Sequence, residues 1–107
     1  MNHGQCCVAG SRLFVHDNIY DEFVKKSVKL AKKKRVGDPF HPDSEQGPQV
    51  SQEQLDRILR YVGIGQEEGA SLQTGGARLG TKGYFMEPTV FAEVEDHHTI
   101  AKEEIFG

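Results

Sequence analysis

The sequence has no tryptophan, only two cysteines, no excess of positive charge and no long apolar run. A membrane-spanning helix needs about 20 predominantly apolar residues in succession. The formal net charge of -3 provides no general attraction to nucleic acid or to an anionic membrane surface. We therefore predict a soluble protein whose partners include neither a nucleic acid nor a membrane.

The two cysteines, Cys6 and Cys7, are adjacent in the segment GQCCVAGSR. A disulfide between neighbours would be strained and would close almost no loop, so it would stabilise little. Neighbouring side chains also diverge, whereas zinc ligands must converge, so no metal site is predicted. What remains is a buried small side chain, a reactive thiol, or one of each. Unpaired thiols suit a reducing compartment, namely the cytoplasm or the mitochondrial matrix.

The histidines and the glycine-rich stretches do not suggest further sites. His3 alone is near the thiols, while the adjacent His97 and His98 are poorly spaced for shared chelation, and all are expected at the surface. The glycines of Gly63 to Gly69 follow a predicted helix. A dinucleotide-binding turn instead places its glycines after a strand and before a helix, so these glycines are expected to end the helix.

The first half of the chain predicts a strand, a helix and a loop. Arg12 to Val15 is rich in β-formers and reads as a strand. From Ile19 the apolar residues recur at helical spacing, Asp17 or Asn18 can cap the helix, and the basic cluster Lys32 to Arg35 suits its end. The loop Gly37 to Pro48 contains three of the four prolines.

The second half predicts another helix and short strands. Ser51 and Gln54 have the spacing of a capping box, in which each side chain bonds the other residue's backbone. The predicted buried stripe comprises Leu55, Ile58, Leu59 and Val62. A strand is expected in ASLQTGG, and a helical turn after His98 or Thr99. Gly83 to Val94, which Pro88 interrupts, predicts either two short strands or an edge strand with a break. The fold class is therefore α/β with an incomplete sheet and flanking helices, and we expect a fragment of a larger domain.

Five segments, in order and in register, resemble the aldehyde dehydrogenase superfamily, in particular its class 1 and 2 members. They cover the chain and read NHGQCCVAGSR, VGDPF, EQGPQV, GYFMEPTVF and AKEEIFG. The resemblance implies that residues 1–107 are part of a catalytic domain. The nucleotide-binding domain of the family would lie outside this chain.

The resemblance also implies site residues. Cys7, the second thiol, matches the catalytic nucleophile, and Cys6 is its neighbour. Glu104 matches the glutamate that binds the nicotinamide ribose, and Phe106 the aromatic beside that end of the cofactor. Gln54 matches a contact to the adenine-side ribose, and Arg57 stands where the family often has lysine. The implied cofactor is NAD, with NADP left open.

The implied reaction oxidises an aldehyde to a carboxylic acid through a thiohemiacetal and a thioester on the cysteine. The general-base glutamate and the oxyanion asparagine of the family would precede Met1. The isolated chain is therefore expected to be inactive, and the full-length enzyme to form a homo-oligomer. The alternative is a non-catalytic remnant in which the two thiols act as a redox or interaction module.

Overall fold

The computed structural model describes residues 1–107. Two antiparallel strands, Ser71–Thr74 and Val90–Ala92, form the sheet, and the two long helices, Tyr20–Lys33 and Gln52–Glu67, both contact it. The α/β class with an incomplete sheet is thus confirmed. The elements in chain order are α1 (Tyr20–Lys33), α2 (Gln52–Glu67), β1 (Ser71–Thr74), β2 (Val90–Ala92) and α3 (Thr99–Lys102), with single 3-10 turns at Asn2–Gly4 and Asp17–Ile19.

The first helix forms where its apolar spacing predicts, but its start differs from the expectation. A 3-10 turn precedes α1, and the Nδ1 atom of His16 accepts a hydrogen bond from the Asn18 N–H at 3.2 Å. Asp17 and Asn18 lie inside this turn, so neither caps α1, which begins after Ile19 without a side-chain cap. The helix ends at Lys33, within the basic cluster, as expected.

The second helix begins at the predicted residue and continues further than predicted. The Ser51 hydroxyl accepts a hydrogen bond from the Gln54 N–H at 3.1 Å, which is half of the expected capping box. The Gln54 side chain points elsewhere. Gly63 and Gly65 lie within the helix. Phe91 packs so closely on Gly65 that an added Cβ would be 3.2 Å from its ring. Gly69, with φ of +97°, follows the end of the helix.

The core lies along one face of α2, as the buried stripe predicts. Leu55 is fully buried, and Leu59 is partly buried against the same cluster. None of the helices combines the length and the apolar character that crossing a membrane would require. The remaining buried apolar residues are Ile58, Tyr61, Val62, Ala70, Met86, Ala92 and Ile100.

The strand predicted at Arg12 to Val15 is absent. This segment pairs with no other part of the chain, and a strand is defined by its ladder of hydrogen bonds. Leu13 and Phe14 are consequently 68% and 91% exposed. In the later segment, an isolated bridge at Met86 and the strand β2 lie on either side of Pro88, as predicted.

His98 also differs from the sequence prediction, since it is buried rather than at the surface. Its ring is 3% exposed, and its Nδ1 atom accepts a hydrogen bond from the Glu95 N–H at 3.0 Å. The donor is a backbone N–H in the turn just before α3, so the ring completes the turn that leads into this helix. A local bond of this kind offsets the cost of burying the imidazole.

Candidate functional site: an exposed thiol beside an acidic segment

The thiol segment, residues 3–9, presents Cys7 on a tight turn. The Ala9 N–H donates to the Cys6 carbonyl at 2.9 Å, which makes Cys7 the second residue of a four-residue turn. Cys7 is exposed, Cys6 is half-buried, and both are free thiols. The Cys7 N–H has no backbone acceptor among the turns and loops of the chain. An accessible thiol and an available N–H therefore belong to the same residue.

Two side chains tie the thiol segment to the loop before α2. The Gln5 Oε1 atom accepts a hydrogen bond from the Val50 N–H at 3.1 Å, and the His3 Nε2 atom accepts one from the Gly47 N–H at 3.2 Å. Burial lowers the pKa of His3, which favours the neutral ring that can accept a hydrogen bond. The geometry therefore gives His3 a structural role as an acceptor for the loop.

The thiol segment meets the Glu104 segment, residues 103–107, at a contact between two glycines. Gly4 has a φ of +89°, and an added Cβ there would lie 2.7 Å from the carbonyl carbon of Gly107. A Cβ added to Gly107 would in turn overlap the side chain of Ile58. A cleft of about 170 Å³, lined by His3, Ile58 and Gly107 among others, adjoins this contact. The two predicted site segments, distant in sequence, are thus neighbours in the fold.

Glu104 and Phe106 lie on this second segment. The Glu104 side chain is exposed and takes part in none of the ion pairs, while its main-chain carbonyl accepts from Arg57 at 2.7 Å. A carboxylate with both oxygens available suits the two hydroxyls of a ribose. Phe106 is half-buried and has a φ of +61°, in the left-handed region. The residues present therefore fit the ribose end of a nicotinamide cofactor.

Gln54 lies on α2 with its side chain directed at the Glu104 segment. Its amide nitrogen donates to the carbonyls of Phe106 at 2.6 Å and Ile105 at 3.3 Å. The side chain therefore does not complete the capping box with Ser51. Its predicted contact to a cofactor ribose stays a prediction, and its amide donor already has acceptors within the chain.

Sequence reasoning missed Tyr61 and Glu103. The Tyr61 hydroxyl donates to the Glu103 carboxylate at 2.7 Å, and the Arg57 guanidinium lies 5.3 Å from the centre of the Tyr61 ring. Gln54, Arg57 and Tyr61 lie three and then four residues apart, so they share one side of the helix. This helical spacing of polar residues beside the apolar stripe was the feature of the sequence that could have indicated them. We call these three residues the polar face of α2.

The hydrogen bond to Glu103 changes the pKa of Tyr61. It raises the pKa of Tyr61 above the usual value, because the neutral hydroxyl donates and its ionised form would face a carboxylate. A pKa raised on folding contributes stability that is present below the unfolded pKa and is lost as the pH rises through the folded one. We predict that near-ultraviolet absorbance detects a late-ionising tyrosine that disappears in Tyr61→Phe and shifts down in Glu103→Leu. An unchanged late titration in Tyr61→Phe would assign it to another tyrosine.

No three His, Cys, Asp or Glu residues come together in a group that could hold a metal ion. The two segments that meet at the glycine contact instead carry a thiol, a carboxylate and main-chain N–H and carbonyl groups. A thiol can attack an electron-poor carbon, and a carboxylate can bind a diol. The two segments therefore offer the groups for thiol-based chemistry and for binding a diol.

The family model described as aldehyde dehydrogenase family matches residues 1–107. The chain belongs to this family. Among solved structures, aldehyde dehydrogenase from Bacillus cereus in complex with NAD+ is 48% identical and superposes with a TM-score of 0.95, over 98% of this chain and 21% of that one. Betaine aldehyde dehydrogenase from Staphylococcus aureus, also in complex with NAD+, is 36% identical with a TM-score of 0.95, over 99% of this chain and 22% of that one.

Curated relatives are more similar in sequence. The mitochondrial benzaldehyde dehydrogenase of Antirrhinum majus is 59% identical over 99% of this chain and 20% of its own length. Human retinal dehydrogenase 2 is 57% identical over 99% of this chain and 20% of its own length. The chain therefore spans about a fifth of the length of the curated relatives it matches.

Proposed function

We propose that these residues are part of an NAD-dependent aldehyde dehydrogenase and supply its nucleophile, Cys7, and its nicotinamide-ribose ligand, Glu104. The observation that carries this proposal is the glycine contact, Gly4 against Gly107, which holds an exposed thiol next to a segment with an available carboxylate. Residues 1–107 then form part of the catalytic domain, and the nucleotide-binding domain belongs to another part of the protein. The complete enzyme is proposed to be a homo-oligomer.

In the proposed reaction the Cys7 thiolate attacks the aldehyde carbon. A C–S bond forms, and the carbonyl π electrons move to oxygen, where the available Cys7 N–H can donate to the oxyanion. A bound NAD would supply the hydride acceptor, and loss of a hydride from that carbon would convert the thiohemiacetal into a thioester. Attack by water then breaks the C–S bond, which releases the carboxylic acid and returns Cys7 to the thiolate. The base that takes the proton from this water lies outside the chain.

Glu104 has a separate task in this proposal. Its two carboxylate oxygens accept from the two ribose hydroxyls next to the nicotinamide, which fixes the ring relative to the carbon bound to Cys7. Phe106 packs beside that end of the cofactor. The two similar structures determined with NAD+ support NAD as the cofactor. The names of the relatives include benzaldehyde and retinal dehydrogenases, which supports an aldehyde as the substrate class.

A single-turnover experiment on the full-length protein tests the proposal. The protein is mixed with NAD+ and an aldehyde, quenched in acid, and digested for mass spectrometry. We expect NADH to form in proportion to the subunits, with the acyl group on the peptide of the thiol segment and fragment ions assigning it to Cys7. An acyl group on Cys6 would refute the assignment of the nucleophile. Reversible oxidation of the two thiols without NADH formation would instead support the thiol redox or interaction module.

A further inference from the structure

The polar face of α2 follows the Glu104 segment residue by residue, in the opposite chain direction. Gln54 reaches the carbonyls of Phe106 and Ile105, and Arg57 reaches those of Ile105 at 3.3 Å and Glu104 at 2.7 Å. Tyr61 then reaches the side chain of Glu103 at 2.7 Å. Each residue from 103 to 106 is thus bonded to the helix by at least one group.

These contacts stabilise a backbone that is unfavourable in itself. Phe106 has a left-handed φ of +61°, which costs a residue with a side chain about 1–3 kcal/mol and persists only where surrounding contacts enforce it. The shortest hydrogen bond between the helix and this segment is donated by the Gln54 side-chain amide to the Phe106 carbonyl, at 2.6 Å. The contact at Gly107 lies next along the chain. The Glu104 segment is therefore held in its shape by α2.

The Glu104 side chain itself is left out of this network. Arg57 bonds the carbonyl of Glu104, and Tyr61 bonds the neighbouring carboxylate of Glu103, so the carboxylate of Glu104 stays available while its backbone is fixed. Fixing the backbone limits where the carboxylate can reach. A ligand-binding group must be held to a fraction of an ångström if it is to orient a reacting ring.

We propose that Gln54, Arg57 and Tyr61 are positioning residues, which set the orientation of the nicotinamide by fixing the backbone that carries Glu104. This inference rests on the proposed function of Glu104. It assigns Gln54 a role within the chain that needs no contact with the cofactor. Because the three residues act through the Glu104 segment, their loss slows hydride transfer without removing any group that reacts.

The test uses the full-length protein with three variants of the polar face. Arg57→Met removes the donors to the carbonyls of Ile105 and Glu104, Arg57→Lys retains one charged donor, and Tyr61→Phe removes a single oxygen. The matched control is Tyr20→Phe, which also removes one hydroxyl with a 2.7 Å hydrogen bond, here accepted from the Glu93 N–H, and Tyr20 is far along the chain from Glu104. Tyr61→Phe keeps the buried ring, so it still tests the positioning role if Arg57→Met fails to fold.

Two measurements are made on each variant. Crystal structures determined without cofactor report on the Glu104 segment, and we expect the B-factors of residues 104–107, relative to the chain average, to rise in Arg57→Met and Tyr61→Phe. The deuterium isotope effect with a deuterated aldehyde reports on hydride transfer. We expect hydride transfer to slow by about ten- to a hundred-fold in Arg57→Met, with partial recovery in Arg57→Lys and no change in Tyr20→Phe.

The contrary outcomes separate this inference from the proposed function. Unchanged relative B-factors at residues 104–107 in the polar-face variants overturn the inference, as do raised B-factors with unaltered hydride transfer. Glu104→Gln serves as the reference for the proposed function. If it slows hydride transfer while Arg57→Met and Tyr61→Phe do not, only the positioning role is refuted. If Glu104→Gln leaves hydride transfer unchanged, the role of Glu104 and the positioning role both fail.

Discussion

Replacing Cys7 by serine in the full-length protein is expected to abolish aldehyde oxidation, with a loss of about ten-thousand-fold or more. A serine hydroxyl is far harder to ionise than a thiol and is a much weaker nucleophile near neutral pH. The substitution changes one atom on an exposed turn, so the fold should be preserved. The turnover rate and the dissociation constant of NADH, the latter followed by fluorescence, are the quantities to measure.

The adjacent thiol provides the matched control for this prediction. Cys6→Ser makes the same atomic change one residue earlier, at a half-buried position. We expect it to retain most of the turnover and to bind NADH as the unmodified protein does. Equal losses in the two variants would mean that the chemistry does not depend on Cys7 in particular, and the proposed mechanism would fall.

The second large effect is expected from Gly4→Ala, which acts on structure. An alanine at φ of +89° is strained by about 1–2 kcal/mol, and its Cβ would overlap backbone atoms of Gly107, which cannot rotate away. Such overpacking adds about 1–3 kcal/mol, so the total loss of stability is about 2–5 kcal/mol. Separation of the thiol from the Glu104 segment should also reduce turnover by about tenfold or more.

Urea unfolding and turnover of the full-length protein check this second prediction. Gly10→Ala is the matched control, because it lies in the same stretch of chain and an added Cβ there meets no atom within 4 Å. We expect Gly10→Ala to unfold at the same urea concentration as the original protein. A Gly4→Ala variant with an unaltered midpoint and unaltered turnover would show that the two segments need no close contact.

Local chemistry in the sequence predicted the helices well. The apolar spacing placed α1 and α2, and Ser51 marked the start of α2 because an N-cap acts within a few residues. The glycines predicted the end of α2 less well. Gly65 was expected to end the helix, but packing against Phe91 and Ile100, which are distant in sequence, keeps the helix intact there. Tertiary contact overrode an intrinsic preference.

The candidate site was only partly predictable for the same reason. The resemblance of two motifs indicated Cys7 and Glu104, and their roles remain proposals. No motif indicates that Gly4 and Gly107 bring the two segments together, since such a contact depends on the whole fold. Gln54 had a sufficient local explanation in the capping box, and this hid its bond to Phe106. The strand predicted at Arg12 to Val15 does not form, because a strand needs a partner distant in sequence and local β-propensity does not provide one.

Helix α2 binds the Glu104 segment largely through main-chain carbonyls, which every amino acid possesses. From 104 to 106 the helix therefore recognises the path of the chain and not the side chains it carries. A substitution of Glu104 by another residue would leave those bonds in place. The same scaffold could thus acquire a different ligand preference one mutation at a time, while each intermediate retained its fold.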